Sequence, residues 1–180
     1  SVGSRSLNVP PQAARMYNRD EARVERLCAK RGLNPRRTTP LEDSALHIDL
    51  TVDEGTHGRV GIDVKGPRRL RRGDPAPSPW YTWLELRNRN GLRGSLFGAA
   101  QYLVVASPRG WLWLNRQELA IECTLRYIEN VGKREAYTPW WTKHRGHSVI
   151  ILAPYTYLYR VATRVWPDTY LQDVYGTCQE

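Results

Sequence analysis

Between residues 47 and 65 the chain reads HIDLTVDEGTHGRVGIDVK, two alternating apolar runs joined by a turn rich in glycine. Period-two alternation of this length is the signature of half-buried strands, and the short connection predicts an antiparallel hairpin. In the first run Ile48, Leu50 and Val52 share one face, with His47, Asp49 and Thr51 on the other. In the second, Val60, Ile62 and Val64 face one way, and Gly61, Asp63 and Lys65 the other. Pairing through Glu54-Gly55-Thr56-His57-Gly58 puts both polar faces on the same side of the sheet, so Asp49, Asp63 and Lys65 converge.

Two carboxylates on one sheet face suit a hard cation. Mg²⁺ prefers oxygen ligands and commonly takes one or two carboxylates plus a substrate phosphate, and Mn²⁺ accepts the same donors. A lysine beside the ion can steady charge developing on phosphorus. Asp63-Val64-Lys65 is a short pattern, and a cross-strand surface salt bridge remains the alternative on these residues alone. Its surroundings favour the site. Lys65 is one of only 4 lysines against 23 arginines, and the run that follows it, KGPRRLRR, carries Arg68, Arg69, Arg71 and Arg72 without an acid. The formal net charge of +9 points to a polyanionic partner, most often nucleic acid, and arginine is the cation best suited to phosphate.

The 180 residues fit one domain with a sizeable core and appendages. We read residues 1–11 as an N-terminal arm, 12–132 as the core and 133–180 as a C-terminal extension packing on it. Residues 12–31 carry neither Gly nor Pro and predict a helix stopped by Gly32, with Tyr17, Val24, Leu27 and Cys28 as its apolar stripe and Glu21 at the rim. Residues 33–40 read as extended. WYTWLELRN (80–88) alternates again, with Tyr81, Trp83, Glu85 and Arg87 on one face, which makes Glu85 a further candidate ligand. Residues 100–107 and 110–115 predict a second hairpin, 116–129 a helix, 138–147 a loop and 148–158 a last strand. This order predicts an α/β protein with a mixed central β-sheet flanked by helices. Trp140, Trp141 and Lys143 form a candidate stacking platform for an unpaired base. His144 and His147 have metal-ligand spacing for a helix, but Gly146 between them favours a loop. There is no G-x-S-x-G elbow and no P-loop.

Three scattered cysteines without a CxxC pair argue against a disulfide scaffold and a structural zinc site. The longest apolar stretch, residues 148–158, is too short to cross a bilayer, and no apolar leader opens the chain. The expectation is an intracellular protein of a host cell or virus, not secreted and without a membrane partner.

With Glu21 on a helix, Asp49 on the next strand and Asp63-x-Lys65 after a hairpin, the layout resembles the PD-(D/E)xK nuclease superfamily. The resemblance extends over about residues 15–130, and WLELRNRNGLRGSLFGAAQYLVVAS looks like small phage-encoded members. The position of Glu21, eleven residues before Gly32, is similar to that in archaeal-type Holliday junction resolvases. The chain departs from the pattern in having His47-Ile48 before Asp49 in place of the family's proline, Ser95 in place of a tryptophan and Gln101 in place of an acid. The last change leaves no carboxylate at 101 for a metal site, though Gln101 can still donate to a phosphate. The resemblance implies a restriction-endonuclease-like core and Mg²⁺-dependent hydrolysis of DNA phosphodiesters, with branched DNA or a Holliday junction among the substrates. It also implies Asp49, Asp63, Lys65 and Glu21 as catalytic residues, with Asp49 and Asp63 holding the metal and Glu21 orienting the site or completing the coordination shell, and a homodimer by analogy with members that cut both strands. The second hypothesis is a catalytically silent nucleic-acid-binding or structural protein that keeps the fold.

Overall fold

A computed structural model describes residues 11–133 and 136–176. The arm read over residues 1–11 lies outside these except for Pro11, which opens helix α1 (Pro11–Lys30). Gly32 ends α1 at φ +71°, and the amides of Gly32 and Leu33 return to the carbonyls of Ala29 and Cys28. Val24 and Cys28 are fully buried from α1, and Leu27 packs beside them.

The hairpin forms as its alternation predicts. Strand β2 (Leu50–Asp53) pairs antiparallel with β3 (Arg59–Lys65), with Leu50 opposite Ile62 and Val52 opposite Val60. A 3₁₀ turn, Gly55–His57, closes it, and the Glu54 amide donates to Gly58 O at 2.8 Å. The short strand β1 (Arg36–Arg37) borders β2.

Between β1 and β2 lies helix α2 (Pro40–Leu46), which the reading of 33–40 as extended, leading straight into the hairpin, passed over. Thr39 caps it and Glu42 closes a capping box, with Pro40 in the first turn. His47 then adopts the left-handed conformation at φ 53° and turns the chain into the hairpin.

β5 (Tyr102–Ser107) joins β3 in parallel and β6 (Gly110–Asn115) follows it antiparallel, the predicted second hairpin. Gly110 takes φ +128° where a side chain would strike the Trp166 carbonyl. With β9 (Arg164–Trp166) on β6, the order of this mixed six-stranded sheet is β1-β2-β3-β5-β6-β9. Helix α3 (Arg116–Asn130) is capped by Asn115, whose side chain accepts the Glu118 amide.

β4 (Tyr81–Arg87) leaves this sheet and forms a second one with β8 (Ser148–Pro154) and β7 (Thr142–Arg145), in the order β4-β8-β7. The predicted loop at 138–147 therefore contains a strand, whose hairpin turns at Gly146 with φ +60°. The predicted strand at 148–158 stops at Pro154. Tyr155–Val161 is helix α4, because Tyr155 and Leu158 bury at helical rather than alternating spacing. Helix α5 (Thr169–Tyr175) completes the described chain. Residues beyond 132 thus supply strands to both sheets. The result is a mixed α/β fold, and among the described residues no helix is long and apolar enough to cross a membrane.

Candidate metal and nucleic-acid site

Asp49 stands just before β2, and its amide donates to Ile62 O at 2.9 Å, extending the ladder by one residue. This register sets Asp49 across from Asp63. Asp49 Oδ2 accepts the Val64 amide at 2.6 Å, and its carboxyl lies within hydrogen-bonding reach of the Asp63 carboxyl. Lys65 Nζ meets Asp63 Oδ1 at 2.6 Å. Asp49, Asp63 and Lys65 therefore come together as the alternation predicts.

The environment is drier than an open sheet face. Asp63 is 1% exposed, and its Oδ2 has no hydrogen-bond partner. A buried carboxylate oxygen without a donor is costly unless it is protonated or faces a cation. Burial pushes the Asp63 carboxyl up against the pull of Lys65, and burial together with the Asp63 charge pushes Asp49 up to about 6. Burial lowers Lys65, but the attraction of Asp63 and Asp49 outweighs it and holds the ammonium charged.

Glu21 reaches the same region from α1. Burial and the charges of Asp49, Asp43 and Asp63 raise it to about 7, with Arg37 opposing. Asp43, from α2, lies within hydrogen-bonding reach of Asp49 and is itself raised, by burial first and Asp49 second. Sequence reasoning missed Asp43, although Thr39-Pro40-x-Glu42 marks the start of the helix that carries it. Asp20 was missed as well. Its carboxylate packs against Gly66, where any side chain would collide with it. Burial raises Asp20, with Tyr170 and the charges of Arg19 and Arg68 opposing.

The donor set fits a hard divalent ion. Asp49 and Asp63 offer oxygens only, and the lone Asp63 Oδ2 supplies an unused acceptor. Among the described residues no three His, Cys, Asp or Glu side chains are grouped closely enough to hold an ion together. Glu21 and Glu85 thus do not join the aspartates as a ready-made ligand set: Glu21 acts on them through its charge, and Glu85 lines a cavity beside Lys65. His144 lies on β7 and His147 in the turn that leads to β8.

The basic run leads away from Lys65 along the second sheet. The Arg68 guanidinium lies 4.1 Å from the Trp83 ring centre, and Trp83 Nε1 donates to the Arg69 carbonyl at 3.3 Å. Arg71 lies over Tyr137 at 4.4 Å, and Arg69, Arg71 and Arg72 are exposed. Gln101 Oε1 accepts the Gly61 amide at 2.6 Å, two residues before Asp63 on β3. Of the candidate stacking pair, Trp140 is only 8% exposed and packs edge-on against Tyr157, so its face is not offered to a base. Trp141 is half-buried and lies tilted against Tyr137 with ring centres 4.9 Å apart, with exposed Lys143 beside it.

In comparisons with protein-family models, curated proteins and solved structures, the chain matches none.

Proposed function

We propose that this chain is a magnesium-dependent deoxyribonuclease of the PD-(D/E)xK type, built on a restriction-endonuclease-like core. The observation that carries the reading is the pairing of Asp49 and Asp63 across one ladder, with a buried, partnerless Asp63 oxygen and Lys65 at 2.6 Å. Asp49 and Asp63 are the residues that would hold Mg²⁺. When bound there, the ion would supply Lewis-acid polarisation of a phosphoryl oxygen and a more acidic water. The Val64 amide fixes one Asp49 oxygen, which fixes the direction of the other. Lys65 carries a permanent positive charge at the same point and neutralises charge that builds on the scissile phosphate. Glu21, raised to about 7, can hold or release a proton near neutral pH and suits the handling of a proton beside the aspartates. Arg68, Arg69, Arg71 and Arg72 continue from Lys65 and would grip the flanking phosphates.

A silent DNA-binding protein would have little use for two facing carboxyls, which repel phosphate unless a cation intervenes. The test is incubation of plasmid, linear and branched DNA with the protein in Mg²⁺, in Mn²⁺ and in EDTA. Cleavage in either metal and none in EDTA is the expected result. Intact DNA in both metals would favour the silent protein.

A further inference from the structure

We propose, resting on the nuclease reading above, that the protein holds a single-stranded DNA segment beside the bond it cuts, along an arginine–aromatic track from Lys65 to Lys143. The track begins at a cavity of about 360 Å³ lined by Lys65, Arg68, Trp83, Glu85, Arg89 and Ser95 among others. A volume at the small end of ligand sites admits one nucleotide but not a base pair within a duplex. Glu85 in its wall disfavours a phosphate there and suits the edge of a base, while Arg68 and Arg89 supply charge for the backbone.

From this cavity, aromatic rings and cations follow one another. Arg68 lies over Trp83, and three residues further along the chain Arg71 lies over Tyr137. Tyr137 is tilted by 42° against Trp141, and Lys143 Nζ is 5.9 Å from the Trp141 ring centre. Duplex binding needs the cations alone, since paired bases are stacked on one another and offer only edges in the grooves. Rings interleaved with cations suit unpaired bases, which stack on aromatic faces while their phosphates meet the charges.

The loop that carries the far end is held in a costly conformation. Tyr137 and Trp140 have φ of 60° and 63°, rare for aromatic residues, and such strain persists where the surroundings enforce it. Here the enforcing contacts are visible: Trp140 is buried against Tyr157, and its amide donates to Leu152 O at 2.8 Å. The buried tryptophan anchors the loop and leaves Tyr137 and Trp141 half-exposed beside the basic run.

The test is fluorescence anisotropy in EDTA, with a labelled single strand and a blunt duplex of equal length. The single strand should bind about tenfold tighter or better. Trp141→Ala and Tyr137→Ala should each weaken its binding about tenfold and leave duplex affinity unchanged, while Trp141→Phe keeps most of the parental affinity. Equal or tighter duplex binding overturns the proposal, as does single-strand binding that neither alanine variant changes. Because no metal is present, failure here leaves the nuclease reading standing, and that reading is judged on cleavage alone.

Discussion

Two carboxyls facing each other across one β-ladder cannot both remain ionised cheaply unless positive charge comes between or beside them. Lys65 supplies part of that charge from within the chain, but it meets Asp63 Oδ1 and leaves Oδ2 alone. The shortfall sets the sign of a pH effect. Asp49 and Glu21 have folded-state values raised to about 6 and about 7, above their ordinary 3.8 and 4.5. Between these limits the folded protein binds more protons at these two groups than the unfolded chain does, so their contribution to stability is full below about pH 4 and is lost as pH rises to about 7. Melting temperatures in EDTA should decline across that window, and Mg²⁺ should reduce the decline because it binds the ionised carboxylates. Glu21→Gln removes one of the repelling charges. At pH 8 without metal it should stabilise the protein by about 1 kcal/mol after solvent screening, or about 2–4 °C in Tm, and make no difference at pH 4. A destabilised variant at pH 8 would mean that Glu21 makes a favourable contact instead.

At the scale of elements, α2 has more effect than its seven residues suggest, because it brings Asp43 to Asp49. Its start depends on the capping box of Thr39 and Glu42, in which the Thr39 hydroxyl accepts the Glu42 amide. Thr39→Ala should cost about 1 kcal/mol, lowering Tm by about 2–4 °C. An unchanged melt would show that packing alone holds the helix. This element also marks where sequence reading fell short. The hairpin of β2 and β3 was legible because its alternation and its glycines specify both register and turn, and the register alone unites Asp49, Asp63 and Lys65. α2 was hidden because its capping signal lies in a Pro-containing stretch that also reads as extended. α4 was missed because an apolar run such as SVIILAPYTYL fits strand and helix alike until burial at Tyr155 and Leu158 separates them. Trp140 looked equivalent to Trp141 in sequence, and only the fold buries one and leaves the other half-exposed. Pairing of β4 with β8 was beyond local pattern altogether, since it joins segments more than sixty residues apart.

Across the whole molecule, the charge of +9 is spread unevenly, with acids gathered at the hairpin and cations in the run beside it. An acidic centre beside a basic run fits a protein that draws a polyanion in by its cations and admits it to the carboxylates once a metal has reversed their sign. DNA affinity should therefore fall linearly in log–log form as salt rises. Replacing Arg71 and Arg72 with alanine together should weaken all DNA sequences alike and flatten the slope by about two units at most. A salt-independent affinity would contradict the electrostatic account, and a selective loss of sequence discrimination would place these arginines on bases. The proposed nuclease function depends on the aspartate pair, and Asp63→Asn probes that dependence. The variant keeps the shape of the side chain while replacing the carboxyl whose Oδ2 lacks a hydrogen-bond partner. Calorimetric titration with Mg²⁺, run beside a cleavage assay and a thermal melt, should find a folded protein with metal binding largely lost and cleavage abolished. Metal-free DNA binding should be equal to the parent's or tighter, because one repelling charge is gone. A folded Asp63→Asn protein that binds Mg²⁺ and cuts DNA at the parental rate would reduce the hairpin to a buried salt bridge and contradict the account.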